Sequence, residues 1–115
     1  MTSWKGSLQL ENRANQRLYG MLGFAMRAGK LVIGTELICK SLARGTVKHV
    51  LVSGAASGAT KKKLCVKCEF YNVSISTANI DTEQLGRLLG KSYAPAAVAV
   101  TDEGFAREIR KATEE

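Results

Sequence analysis

Thiols, a single imidazole and cations set beside glycine-rich turns are the residues of this 115-residue chain whose types and spacing carry chemistry. Cys65 and Cys68 form a C-x-x-C, but a structural zinc needs four ligands and the chain adds only Cys39 and His49. No second C-x-x-C or H-x-x-x-H accompanies them, so no metal is expected, and the pair reads as buried thiols of an amphipathic helix. Three cysteines, an odd number, give no disulfide framework and fit a reducing compartment. His49 lies in the β-branched run Val47–Ser53, where a hydrogen-bonded core imidazole is expected rather than a general base. There is no G-x-S-x-G elbow and no residue pattern that completes a triad, so the chain reads as a non-enzyme without a cofactor.

Phosphate chemistry has two places to reside. The turn Gly54-x-x-x-Gly58-Ala59-Thr60-Lys61 is one residue short of G-x-x-x-x-G-K-[ST], and its lysine is displaced. A nucleotide or phosphate-metabolite site at Gly54–Lys61 is therefore the alternative reading, with a protein-interaction module as another. The stronger signal is the combination of Arg27, Lys30, Lys40 and Arg44 around a helix that opens at Gly34-Thr35-Glu36, followed by Lys61, Lys62, Lys63 and Lys67. Cations beside a helix N-terminus form a concentrated anion site, of the kind that positions a polynucleotide without reading its bases.

The net charge supports this. Seventeen Lys and Arg against ten Asp and Glu leave +7. Residues 1–67 hold twelve basic and two acidic residues, +10, and residues 68–115 hold five basic and eight acidic, −3. A field concentrated in one half of the chain points to a polyanionic partner. No uncharged run approaches the roughly 20 apolar residues that cross a bilayer, and Met1–Leu10 lacks a signal-peptide core. The expectation is a cytoplasmic chain with no membrane partner.

Local periodicity supplies the elements that must hold these groups. Leu18, Met21, Leu22, Ala25 and Met26 form one helical stripe that Gly29 can end, and Leu31-Val32-Ile33 is a brief strand. A second helix has Thr35 as expected N-cap, Leu37, Ile38 and Leu42 inward, and Gly45 as its stop. Val47–Ser53 reads as a central strand, and Thr60–Tyr71 as a helix with Leu64, Cys68 and Tyr71 inward. Val73–Ser76 alternates as a strand, and Asp81 with Gln84 forms a capping box for a helix through Leu85, Leu88 and Leu89. Ala97–Val100 is a buried strand, and Asp102 caps a last helix. This alternation predicts an α/β fold, a three-layer α/β/α sandwich with a small mixed sheet of about four strands. Residues 1–12 read as a flexible N-terminal arm and 13–115 as a single domain.

The run Ala28–Lys40 (AGKLVIGTELICK), Arg44–Lys48 (RGTVK), Leu85–Lys91 (LGRLLGK) and Ala97–Ala106 (AVAVTDEGFA) resemble the kink-turn-binding ribosomal protein family, most closely its bacterial branch. The resemblance covers about residues 16–112. It implies a non-enzymatic protein that binds kink-turn-like structured RNA, ribosomal RNA or that of another ribonucleoprotein, and is monomeric when free. The family's G-T-N-E-x-x-K stretch stands here as Gly34-Thr35-Glu36-Leu37-Ile38-Cys39-Lys40, with Glu36-Leu37 in place of Asn-Glu. By resemblance Gly34 and Thr35 keep a close backbone approach, Lys30 falls at a phosphate contact, Glu36 meets base donors and Lys40 donates to guanine O6 or N7. The resemblance also implies a second contact in the loop before the last strand, where Tyr93, Ala94 and Pro95 cover an extruded base.

Overall fold

Leu18, Leu22 and Ala25 are buried and recur at helical spacing, so residues 16–27 form a helix, α1, held down along one stripe. The computed structural model describes residues 16–114, and the arm expected over residues 1–12 lies outside them. In chain order α1 is followed by β1 (Leu31–Ile33), α2 (Thr35–Arg44), β2 (His49–Ser53), α3 (Gly58–Phe70), β3 (Ser74–Ala78), α4 (Thr82–Leu88), β4 (Ala97–Val100) and α5 (Glu103–Glu114). The sheet order is β1-β4-β2-β3. β2 and β3 pair in parallel, whereas β4 runs antiparallel to both β1 and β2.

Two cores form because the central strands are apolar on both faces. Val98 and Val100 of β4 and Leu51 of β2 join side chains of α1, α4 and α5, among them Leu22, Leu85 and Ile109. Ala97, Ala99, Val50 and Val52 face the other way, onto Ile38 and Leu42 of α2 and Leu64 and Cys68 of α3. The small residues of β4 thus lie under α2 and α3, and its larger ones under the other three helices. Each fully buried aliphatic side chain contributes about 1.5–3 kcal/mol of apolar burial. This is the expected α/β/α sandwich with a four-stranded mixed sheet.

Local details differ from the expectations. The N-cap of α2 is Gly34, not Thr35, and no side chain caps it. The helix α3 begins at Gly58, because Ser57 is its N-cap and accepts from the Thr60 amide at 3.2 Å. Leu37, expected inward, is 55% exposed. Ile38 and Leu42, four residues apart, set the buried stripe of α2, and Leu37 lies about 100° around the helix from Ile38. Cys68 is buried but Cys65 is exposed, so only one of the pair is a core thiol. Burial, with the neighbouring Cys65 and Cys39 thiols, pushes the Cys68 thiol up to about 11. The capping box at Asp81 and Gln84 is present, and Asp102 Oδ2 accepts from the Phe105 amide at 3.0 Å.

Candidate RNA interface

The site follows from strand direction. β1, β2 and β3 run the same way, so each delivers the chain to the N-terminus of a helix at one end of the sheet. The loop entering β4 arrives at that end too. Hydrogen bonds tie the junctions together: the Gly34 amide to the Ala97 carbonyl at 3.2 Å, Ser53 to Ala96 at 2.9 Å and Gly54 to Ala78 at 2.8 Å.

At Gly34 the backbone has φ 102° and ψ 141°, a conformation that only glycine adopts without strain. A Cβ there would meet nothing within 4 Å, so the space in front of Gly34 is open to a ligand. The first amides of α2 have no side-chain cap and face the same end. Thr35 is half-buried and Glu36 exposed beside it.

Along the outer flank of α2 a groove of about 550 Å³ lies between the helix, edge strand β1 and the last residues of α1. Leu37, Lys40 and Arg44 line it from α2, at positions i, i+3 and i+7 of one helical face. Lys91 and Tyr93 close it from the loop between α4 and β4, and Leu31, Val32 and Ile33 supply its apolar wall. Tyr93 is 53% exposed. The groove therefore presents a ring and an aliphatic side chain framed by three cations with no acid in its lining. Such a surface suits an unstacked base with its phosphates.

The loop is held from below by Gly86 of α4. A Cβ at Gly86 would collide with the Tyr93 carbonyl oxygen and press on Pro95 Cδ at 3.3 Å. Pro95 is buried, so it can orient the loop but offers no surface to a ligand, while Ala94 is exposed and shares a smaller hollow with Tyr93 and Arg87.

The structure thus brings Leu37, Lys40 and Tyr93 together, with Gly34 and Ala94 at adjoining junctions. Lys30 does not line the groove itself, although its neighbours Gly29 and Leu31 do. Lys30 stands at the opposite end of β1, where its carbonyl accepts from the Thr101 amide at 2.9 Å, roughly 13 Å of extended chain from Gly34. Lys91 was not among the expected site residues, whereas Arg44 was expected in the basic cluster around α2. Its spacing, four residues after Lys40 and seven after Leu37, puts it on their helical face.

Other chemistry-bearing residues lie elsewhere. His49 is 1% exposed, with Nδ1 2.7 Å from Ser74 Oγ and Nε2 2.8 Å from Ser76 Oγ. Each hydroxyl can donate or accept, so either neutral tautomer is satisfied. Burial, helped by the Arg110 guanidinium and opposed by Glu103, lowers its pKa to about 4. At the Gly54–Lys61 turn Lys61 Nζ donates back to the Gly54 carbonyl at 2.8 Å, closing the loop on itself. Among the described residues no three His, Cys, Asp or Glu side chains are grouped to hold a metal ion, and no helix is long and apolar enough to cross a membrane.

Comparison with known proteins agrees with this architecture. The family model described as the ribosomal protein L7Ae/L30e/S12e/Gadd45 family matches residues 16–110. RNA-binding protein YlxQ of Bacillus subtilis is 40% identical over 91 residues, covering 79% of this chain and 89% of its own. The large ribosomal subunit protein eL30 of Sulfolobus acidocaldarius is 28% identical, with 84% and 99% covered. Among solved structures, a Bacillus halodurans protein described as of unknown function superposes with a TM-score of 0.78 at 34% identity, covering 85% of this chain and 97% of that one. The Giardia lamblia 15.5kD RNA binding protein shares the fold, at a TM-score of 0.73 and 14% identity over 89% and 86% of the two chains. With the family model spanning most of its length and close relatives covered nearly end to end, this chain belongs to the ribosomal protein L7Ae/L30e/S12e/Gadd45 family.

Proposed function

We propose that the chain is a non-enzymatic RNA-binding protein that recognises kink-turn-like structured RNA through the start of α2 and the loop preceding β4. The observation that carries this reading is the convergence of Leu37, Lys40 and Arg44 with Lys91 and Tyr93 on one groove from two distant segments. Family membership and the relatives named as RNA-binding or ribosomal proteins support RNA as the partner. In this reading Gly34 and the open amides of α2 approach the backbone, Lys40 donates to a guanine edge, and Tyr93 with Leu37 sandwiches an extruded base. Glu36 accepts from a base amino group, and Lys30 serves a phosphate further along the RNA. Residues 13–115 act as one binding domain, monomeric when free and cytoplasmic.

The test is a titration, at fixed salt, of a kink-turn RNA against the same RNA with its sheared G·A pairs replaced. Tighter binding of the intact RNA is expected. Equal affinity for the two would remove the kink-turn assignment.

A further inference from the structure

The outer face of α3 carries residues that neither the cores nor the groove uses. Phe70 is 77% exposed and Val66 56% exposed, one turn apart on the helix. Lys62 stands one turn before Val66, and Lys63 and Lys67 are also exposed. Only Leu64 and Cys68 of this helix are buried, and neither Val66 nor Phe70 packs against either core. The Phe70 ring meets Tyr71 edge to face, with centroids 4.8 Å apart and planes at 81°. A phenyl ring this open, with a β-branched neighbour, contributes little to folding.

We infer that the outer face of α3 is a second RNA-contact surface, one that takes a single-stranded segment: bases stack on Phe70 beside Val66 while Lys62, Lys63 and Lys67 hold the phosphates. Charge selects the occupant. The helix carries Lys61, Lys62, Lys63 and Lys67 against the single acid Glu69, and Lys61 is engaged by the Gly54 carbonyl, which leaves three free cations on the ridge. The strand must be unpaired, because a duplex keeps its bases inside the stack and has none to offer Phe70. From Lys62 to Phe70 the ridge is about 12 Å long, enough for a few nucleotides. It is separate from the groove, which flanks β1 on the far side of α2, whereas α3 packs against β3. The inference rests on RNA as the partner of the chain but on none of the groove residues.

The experiment uses the full chain and a fluorescein-labelled twelve-nucleotide oligouridine, followed by anisotropy over a salt series. Wild type is expected to bind. Phe70→Ala should weaken binding about 5- to 150-fold, the usual range for one stacked base. Replacing Lys62, Lys63 and Lys67 by Gln should reduce the slope of log K against log salt by about 2. Arg107→Gln, at an exposed cation of α5 outside both surfaces, should leave oligouridine binding unchanged. Thermal melts of the variants confirm folding, which these exposed side chains do not govern. No binding by wild type, or wild-type affinity in both α3 variants, overturns the inference. So does a polyglutamate peptide binding as tightly as oligouridine, since that would mark an unselective cation surface. Oligouridine binding that depends on Phe70, together with indifference to the G·A pairs, would leave this surface standing and fail the kink-turn reading instead.

Discussion

Gly86 lies directly beneath Tyr93: a side chain on the α4 residue would occupy the space of the Tyr93 carbonyl oxygen. The missing Cβ is what lets the loop fold down beside α4, so that the tyrosine ring reaches the groove shared with Leu37 and Lys40. Gly86→Ala is therefore expected to cost about 1–3 kcal/mol in chemical denaturation, the usual range for overpacking. RNA affinity should fall as well under conditions where the variant is fully folded. Unchanged affinity in the folded variant would show that Tyr93 does not need this placement.

A different glycine governs the opening of α2. With φ at 102°, any side chain at Gly34 is strained even though space is available. Gly34→Ala should destabilise the fold by about 1–3 kcal/mol, measured as a shift of the urea midpoint at constant m-value. A change of a few tenths would mean that the backbone relaxes without penalty.

Lys40 and Arg44 share a helical face but should behave differently. Lys40→Ala is expected to lose about 1–3 kcal/mol against the intact kink-turn and much less against the G·A-replaced RNA. Arg44→Ala should weaken both RNAs alike and lower the salt slope by about 1. Parallel titrations of the two variants on the two RNAs separate base reading from phosphate contact.

The buried imidazole predicts an acid sensitivity unrelated to RNA. The His49 pKa is lowered to about 4 in the folded state, against about 6.5 in an unfolded chain, so the unfolded state binds the extra proton between these values. The stability due to neutral His49 is complete above about pH 6.5, declines as pH falls toward 4 and then levels off. The loss is about 3 kcal/mol. In His49→Gln this component should vanish, and stabilities at pH 7 and pH 4.5 should differ less than in wild type by about 2 kcal/mol, the part of the loss reached by pH 4.5. An identical pH dependence in the two proteins would refute the assignment.

Much of the architecture was readable because local and global signals agree. The stripe at Leu18, Leu22 and Ala25 satisfies a helical period, the capping box at Asp81 opens α4, and the AVAV strand feeds both cores. Errors arose where burial is decided by a neighbour. Leu37 is apolar and next to Ile38, yet it lies about 100° around α2 from that residue and faces the groove. Cys65 sits on a helix whose inner stripe is only two residues wide, so the C-x-x-C splits between surface and core. Pro95 and Gly86 show the same limit at the site, since their contact joins a helix to a loop and has no periodic signature.

All three forward-running strands discharge at the groove end of the sheet, which leaves the turns at Gly45–Lys48 and Tyr71–Val73 at the far pole. The molecule thereby divides into a pole where α2, α3 and α4 begin and a pole where α2 and α3 end, at Arg44 and Phe70. A fluorophore or tether attached at exposed Glu108, on α5 across the sheet from α2 and α3, would report occupancy of the groove without standing in its way.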